Sequence, residues 1–433
     1  MKKFYEEVAS ISLVMGNLIG SGIFIIPIAL AQFGFISLVG FLFATAGALL
    51  IAATLTHLNK YIPKTGGPYL YAKEALGDAM GFNVACSYFI AWCIGNATMI
   101  LALPKMIAPI FPIFDETSKS FSLFYTLFFQ LGITWLFILS NLLGIKVVKW
   151  VQIITTLLKI IPLFIIIAFG FGYIHPAHIT EFNISTQSNF SAITSASTLA
   201  LWLFIGLESA IIPSDESMDH KMITRATYTG TIITAVILGL SYLVLFSVIE
   251  PSQVKSMAFP FANAGEILLG HMGMLLMCFC AFIATAGAIN GSLLIQVKDS
   301  YGAARDHLMP KFFGVENKYG APQYGLLLTG IIISFILIMS IQKPFVDAFN
   351  FIVLLSTVAF VIPYFLSAIS DLILTKQRSG RKKFLRYKIA ILAAIFSFWA
   401  IIGAGKDAVF LGLLFFMAFF LFYAVYHVFR KNN

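Results

Sequence analysis

Apolar runs of about 20 residues recur from one end of the chain to the other, each long enough to cross a hydrocarbon core of about 30 Å. Read in order, they predict twelve membrane spans at 10–34, 36–57, 81–110, 123–143, 151–173, 191–213, 227–249, 266–297, 323–341, 346–370, 388–404 and 408–429. Of the 433 residues 59% are hydrophobic and 11% charged, against about 25% charged in a soluble domain. The fold class expected is therefore an all-α polytopic membrane protein, with no soluble domain between the spans. The first run follows Lys2 and Lys3 like a secretory leader, but no small-residue cleavage site closes it. It is read as a retained first helix.

The formal net charge of +9 would suit nucleic acid, but its placement points to lipid. With the N-terminus inside and an even number of spans, all but six of the 28 basic residues fall on the cytoplasmic side. Lys105, Lys119, Lys255, Lys343 and Lys406 lie outside, and Lys159 lies within the fifth span. This is the positive-inside pattern, and the cluster from Lys376 to Lys388 then sits beside anionic lipid. The expectation is a multi-pass protein of a plasma membrane, a bacterial inner membrane, with both termini cytoplasmic and no nucleic-acid partner.

Cys86, Cys93, Cys278 and Cys280 all fall inside spans and read as small core residues rather than a disulfide framework. The histidines form no pair at metal-ligand spacing on one helix, and most stand at span ends where a wet imidazole is the ordinary explanation. No Walker loop, nucleophile elbow or HExxH motif is present. Neither an enzyme nor a cofactor or metal is expected.

Two spans carry residues that a membrane helix should avoid. In the first, "GNLIGSGIFIIP" (Gly16 to Pro27) places three glycines, an asparagine, a serine and a proline mid-span. Irregular backbone at that depth is tolerated only where it lines a cavity or is buried in protein, and glycine makes unwinding cheap. Close helix packing is the alternative use of small residues. A second copy favours the break: "GLESAIIP" (Gly206 to Pro213) in the sixth span repeats the arrangement of "GSGIFIIP" (Gly20 to Pro27). Spans 1–5 (residues 10–173) and 6–10 (residues 191–370) then form two repeats of opposite membrane orientation, because five is odd. Spans 11 and 12 (residues 388–429) lie outside them. Interrupted helices at corresponding places of an inverted repeat point to a transporter's central site. Free N–H groups where the first helix restarts suit a carboxylate, and free carbonyls where the sixth stops suit an ammonium. An α-amino acid carries both.

At these residues the chain resembles the amino acid/polyamine/organocation transporters, and most closely their bacterial arginine/agmatine antiporter group. The resemblance rests on "GNLIGSGIFIIP", "TGGPYLYAKEALG" (Thr65 to Gly77), "AWCIGNATM" (Ala91 to Met99) and "LWLFIGLESA" (Leu201 to Ala210), and extends over all twelve spans. It implies that Asn17, Ser21 and Gly22 face the substrate carboxylate. The carbonyls of Leu18, Trp202 and Ile205 would take the α-ammonium, with Trp202 also an outer gate. Tyr88, Ala91, Asn96, Met99 and Ser356 would line the side-chain end, and Glu208 would be the proton-responsive carboxylate. The implied fold is two inverted five-helix repeats rocking between outward-open and inward-open states. One departure stands out: Ser292 occupies the place where the group carries a tryptophan that stacks on the guanidinium. Arginine as substrate therefore stays open beside a smaller or neutral amino acid.

Glu208 is the only acidic residue deep in a predicted span. Charge is costly there, so proton loading is expected, with a neutral acid tying helices together as the bland alternative. Lys159 lies about 13 Å from its span's cytoplasmic end at 1.5 Å per residue and could snorkel. In the resemblance it would instead donate to first-break carbonyls between Gly16 and Gly20, as a stand-in for sodium. The sequence thus reads as a secondary active amino acid transporter, an antiporter of amino acids including basic ones or polyamines, working by alternating access. Proton-coupled symport is the nearest alternative, and a channel or transporter-like sensor the alternative from another class. The partners expected are an amino acid or amine, the lipid bilayer and, as one option, a second copy of the chain.

Overall fold

The computed structural model describes residues 2–116, 118–173, 182–212, 219–255, 257, 259–340, 344–376 and 383–431. Fifteen helices order the chain: α1 (Lys2–Leu18), α2 (Ser21–Ala31), α3 (Ile36–Tyr61), α4 (Pro68–Leu76), α5 (Asp78–Ile107), α6 (Leu123–Leu142), α7 (Ile145–Gly170), α8 (Asn189–Leu201), α9 (His220–Val248), α10 (Pro251–Val254), α11 (Pro260–Arg305), α12 (Gln323–Ser340), α13 (Phe345–Lys376), α14 (Lys383–Gly403) and α15 (Lys406–Lys431). Among the described residues ten helices are long and apolar enough to cross a membrane, or eleven with α1 and α2 counted as one bent span.

The chain is an all-α polytopic membrane protein. Its outer surface carries Phe124, Phe190, Met272, Phe384 and Leu421, each about 70% exposed. Such a belt would aggregate in water and is at home against acyl chains. Side-chain caps mark where several helices begin: Ser122, Ser188 and Asp219 accept from Tyr125, Ser191 and Lys221 N–H. Proline opens α4, α10 and α11, where its missing N–H costs nothing.

At 46 residues α11 is far longer than a bilayer needs. Gly270, at φ 66° and ψ −163°, turns the chain inside it. The membrane-crossing part therefore begins near residue 271, later than the expected boundary at 266, because that glycine is the last point at which the backbone can change direction.

Packing between the halves is reciprocal. α1 lies on α9 and α8 lies on α3, while α7 packs on α11 and α13 on α5. Exchanging the predicted spans 1 with 6, 2 with 7, 3 with 8 and 5 with 10 converts each contact of these pairs into the other. The short helix α4 after the second span has a counterpart in residues 260–269 after the seventh. Almost every residue of α5 is enclosed, whereas α14 and α15 face mostly outward. α5 is thus the most enclosed of these helices, and α14 and α15 stand at the rim.

Several buried polar contacts tie the halves together, among them those of Gln296 and His57. Gln296 Nε2 donates to the Phe89 carbonyl at 3.2 Å and to Thr329 Oγ1 at 3.1 Å. His57 Nδ1 lies 2.6 Å from Asp371 Oδ1, both side chains buried. His57 is therefore not the wet span-end imidazole expected; it closes α3 against α13. All four cysteines are buried and unpaired.

Candidate functional site

The helix formed by α1 ends at Leu18, and α2 starts at Ser21 with its axis bent by 41°. An unbroken helix would send the Gly20 N–H to the Gly16 carbonyl. Here it turns back to Leu18 O at 3.1 Å, and Lys159 Nζ donates to Gly16 O at 2.5 Å in its place. The Lys159 side chain is 0% exposed. A cation at the C-terminal end of a half-helix meets the negative end of its dipole, so Lys159 closes the carbonyl side of the break rather than snorkelling. The N–H groups of Ser21, Gly22 and Ile23 open α2 and have no intrahelical acceptor.

The second interruption is longer. α8 gives way to a tight turn over Trp202–Phe204, an extended Ile205 (φ −68°, ψ 128°), a left-handed Gly206 (φ 102°, ψ 2°) and a second tight turn over Leu207–Ala210. Ile205 N–H bonds to Trp202 O at 3.2 Å, leaving that carbonyl one lone pair. Glu208 sits at the start of the restarting turn, 0% exposed. The Tyr88 hydroxyl donates to its Oε1 and the Tyr364 hydroxyl to its Oε2 at 2.8 Å. Backbone groups of Gly206 and Glu208 also bond to the carboxyl.

Between the two interruptions lies a cavity with about 40 Å³ of room for water centres. One water needs about 10–15 Å³ on that measure, so this conformation is closed around a space for a few waters. Asn17, Leu18, Gly20 and Gly22 form one wall, and Trp202, Leu203 and Ile205 the facing one. Trp92, Gly95 and Met99 of α5, Ala288 and Ser292 of α11 and Phe360 of α13 complete it. Among the described residues no charged side chain lines it. Trp202 lies directly on Gly22, where an added Cβ would stand 2.4 Å from the indole ring.

Seven of the expected site residues thus meet on one wall set: Asn17, Leu18, Gly22, Met99, Trp202, Ile205 and Ser292. Four stand behind it. Tyr88 is committed to Glu208. Asn96 accepts from Ser292 Oγ at 2.5 Å and donates to Gln296 Oε1 at 3.2 Å. Ser356 Oγ donates to the Ala91 carbonyl at 3.4 Å, joining α13 to α5. The Ser21 side chain and Pro213 lie outside the described residues.

Asn17 differs from the expectation in chemistry. Its Nδ2 donates to Leu13 O at 3.1 Å and its buried Oδ1 has no partner. The spare atom is an acceptor, which suits an ammonium rather than a carboxylate. The glycines also act differently from the torsional role expected. Gly20 is extended, at φ −121°, a conformation open to any residue, and Gly22 serves close approach to Trp202. Of the glycines at the two breaks, only Gly206 needs the left-handed region.

Sequence reasoning missed Trp92 and Phe360. Trp92, Gly95 and Met99 follow helical spacing on the motif around Asn96, so one face of α5 could have been read as the wall. Nothing local marks Phe360. Glu208 is not the only buried acid: Asp299 and Asp371 are each 2% exposed. Both stand just beyond predicted span ends, where α11 and α13 continue under cover of neighbouring helices.

Two half-helix pairs meeting at one cavity, with a buried cation on the first and a buried carboxyl on the second, define a membrane transporter of the broken-helix kind. The chain belongs to the amino acid permease family, which it matches over residues 6–432. It is 29% identical to an arginine/ornithine antiporter of Pseudomonas aeruginosa, over 93% of this chain and 86% of that protein. It is 27% identical to a cadaverine/lysine antiporter of Escherichia coli K12, over 92% of this chain and 89% of that protein. A putrescine transporter of the same strain is 25% identical over 92% of this chain and 91% of that protein.

Proposed function

We propose that the protein is a secondary active transporter of a bacterial plasma membrane, exchanging amino acids by alternating access, with a basic amino acid or its amine as at least one substrate. The observation that carries this is the cavity between the interruptions, with unsatisfied helix N–H groups on one wall and carbonyl ends on the other. The substrate carboxylate takes the N–H groups of Ser21 and Gly22. The α-ammonium takes the carbonyls of Leu18, Trp202 and Ile205 together with Asn17 Oδ1, and Trp202 covers it. Met99, Trp92, Phe360 and Ser292 bound the side-chain end. The aromatic faces of Trp92 and Phe360 offer a cation–π surface where Ser292 offers none. The names of the relatives favour the basic class.

Twelve spans in two inverted repeats (10–173 and 191–370) with a peripheral pair (388–429), both termini cytoplasmic, agree with the basic-residue bias and the reciprocal packing. A homodimer is compatible with the outward-facing α14 and α15. Proton-coupled symport is the second reading, favoured by Glu208 and its two tyrosine donors; Lys159, seated where a cation would bridge helices, favours sodium independence. Purified protein in liposomes preloaded with arginine, ornithine, lysine, cadaverine or putrescine tests the exchange. Uptake of labelled substrate should rise at least about tenfold with the matching amine inside. Equal uptake into empty and preloaded vesicles would end the exchange reading.

A further inference from the structure

A carboxylate left inside a transporter needs a reason, because a buried acid without partners is costly. Asp299 is 2% exposed and its Oδ1 has no hydrogen-bond partner. It lies within Coulombic reach of Glu208 from the second interruption, of Tyr88 on α5 and of Tyr69 on α4. Tyr88 donates to Glu208. Tyr69 donates to Asp306 Oδ2 at 3.1 Å, and Asp306 is half-exposed at the end of α11, seven residues or about two turns beyond Asp299. A second cavity, bordered by Lys298, Tyr301, Gly302 and Arg305, reaches this end of the helix. The Tyr69 hydroxyl is close to the same Gly302, 3.1 Å from where a Cβ would be. Acids and phenols therefore alternate from the membrane interior to water, along the side that carries Lys298, Arg305 and Lys311.

We propose that Asp299 is the intermediate station of a proton path joining Glu208 to the cytoplasm, in the order Asp306, Tyr69, Asp299, Tyr88, Glu208. This rests on the proposed proton-loading role of Glu208. Two carboxyl groups this deep and this near one another resist carrying two negative charges, so a proton on one leaves the other free to accept the next. In the inward direction Tyr88 gives its hydroxyl proton to Glu208 Oε1 and takes one from protonated Asp299. Asp299 is refilled through Tyr69, which turns its hydroxyl from Asp306 toward Asp299 and gives up that proton as its oxygen takes one from protonated Asp306, and Asp306 recovers its own from water. Giving and taking are concerted at each phenol, so one proton moves along the path and every phenol ends neutral. The Asp299 oxygen has no bonded partner in this closed conformation, so its hops need a rotamer change or a bridging water, which ties proton movement to the opening of the cytoplasmic side. Asp299 is not among the residues that line the substrate cavity.

The test uses the full-length protein in liposomes with an entrapped pH dye, comparing wild type, Glu208→Gln, Asp299→Asn and Asp299→Glu. In Asp299→Asn, substrate-dependent proton movement and the pH response of transport should fall at least about tenfold. Substrate binding, read by thermal shift, should stay within about twofold of wild type, since a residue off the cavity wall contributes no contact to the ligand. Asp299→Glu should restore much of the proton signal. If Glu208→Gln changes the pH profile and Asp299→Asn does not, the path is wrong while the Glu208 role stands. If neither variant changes it, the reading of Glu208 fails first. Loss of binding in Asp299→Asn with no rescue by glutamate would make Asp299 a structural acid and overturn the proposal.

Discussion

The two interrupted helices do the same job with opposite chemistry. At the first, the carbonyl side is closed by a cation, Lys159 on Gly16 O, and the N–H side at Ser21 and Gly22 is left open. At the second, the N–H side is occupied by an acidic residue, Glu208, whose carboxyl bonds to the backbone of Gly206, and the carbonyl side at Trp202 and Ile205 faces the cavity. Each break thus satisfies one helix end internally with a side chain of the complementary sign. The ends left over are a donor set and an acceptor set on facing walls. The lesson is that two backbone gaps can present donors and acceptors on facing walls without a charged side chain on either, which is the arrangement the proposed amino acid substrate would need.

The breaks also differ in length and in what holds them open. The first spans two residues and depends on space; the second spans two tight turns and depends on a left-handed torsion. Substitutions separate these causes. The largest effect is expected at Gly22→Ala, whose methyl would meet the Trp202 ring at 2.4 Å. Overpacking of about 1–3 kcal/mol at the contact between the walls should lower exchange by roughly a hundredfold, measured as initial uptake with protein insertion checked by fluorescence. Full activity would show that the two walls need not touch during the cycle.

Next comes Lys159→Met, which keeps the length and removes the donor. The Gly16 carbonyl is then buried and unpaired, costing about 2 kcal/mol, and the melting temperature in detergent should drop. If added sodium stabilised the variant but not the wild type, the ammonium would be standing in for an ion. A third, smaller effect is expected at Gly206→Ala, where a left-handed backbone costs a non-glycine residue about 1–2 kcal/mol. Its signature should be slower turnover with little change at the first break; equal loss of stability to Lys159→Met would mean the two gaps fold as one unit.

The smallest is Tyr364→Phe, which removes one of two phenol donors to Glu208 and costs about 1 kcal/mol. Glu208 keeps the Tyr88 donor, so exchange should persist while its pH response changes; an unchanged response would mean that Tyr364 does not act on the carboxyl.

Much of the plan was legible in the chain. Span lengths follow from hydrophobicity over about 20 residues, a local property. The interruptions at Gly16–Pro27 and Gly206–Pro213 could be read because polar and small residues are out of place at that depth. Lys159 was paired with the first break by the resemblance, while its depth in the span alone left snorkelling open. The wall of the cavity was less legible. The resemblance implies Asn96, Tyr88 and Ser356 as lining residues, yet their polar atoms are spent on Ser292, Glu208 and Ala91. For Asn17 the expected partner was the carboxylate, but an amide offers both a donor and an acceptor and the helix uses the donor, which leaves the acceptor free.

By itself, then, the sequence determined an all-α membrane protein with two damaged helices, because hydrophobic length and forbidden residues act locally along one strand of chain. Tertiary structure alone decided that Phe360 and Trp92 bound the same space as Gly22, that His57 meets Asp371, and that Asp299 lies near Glu208. Those outcomes depend on which faces of distant helices come into register, and each helix carries several faces of nearly equal hydrophobicity. Only the simultaneous packing of both halves selects among them.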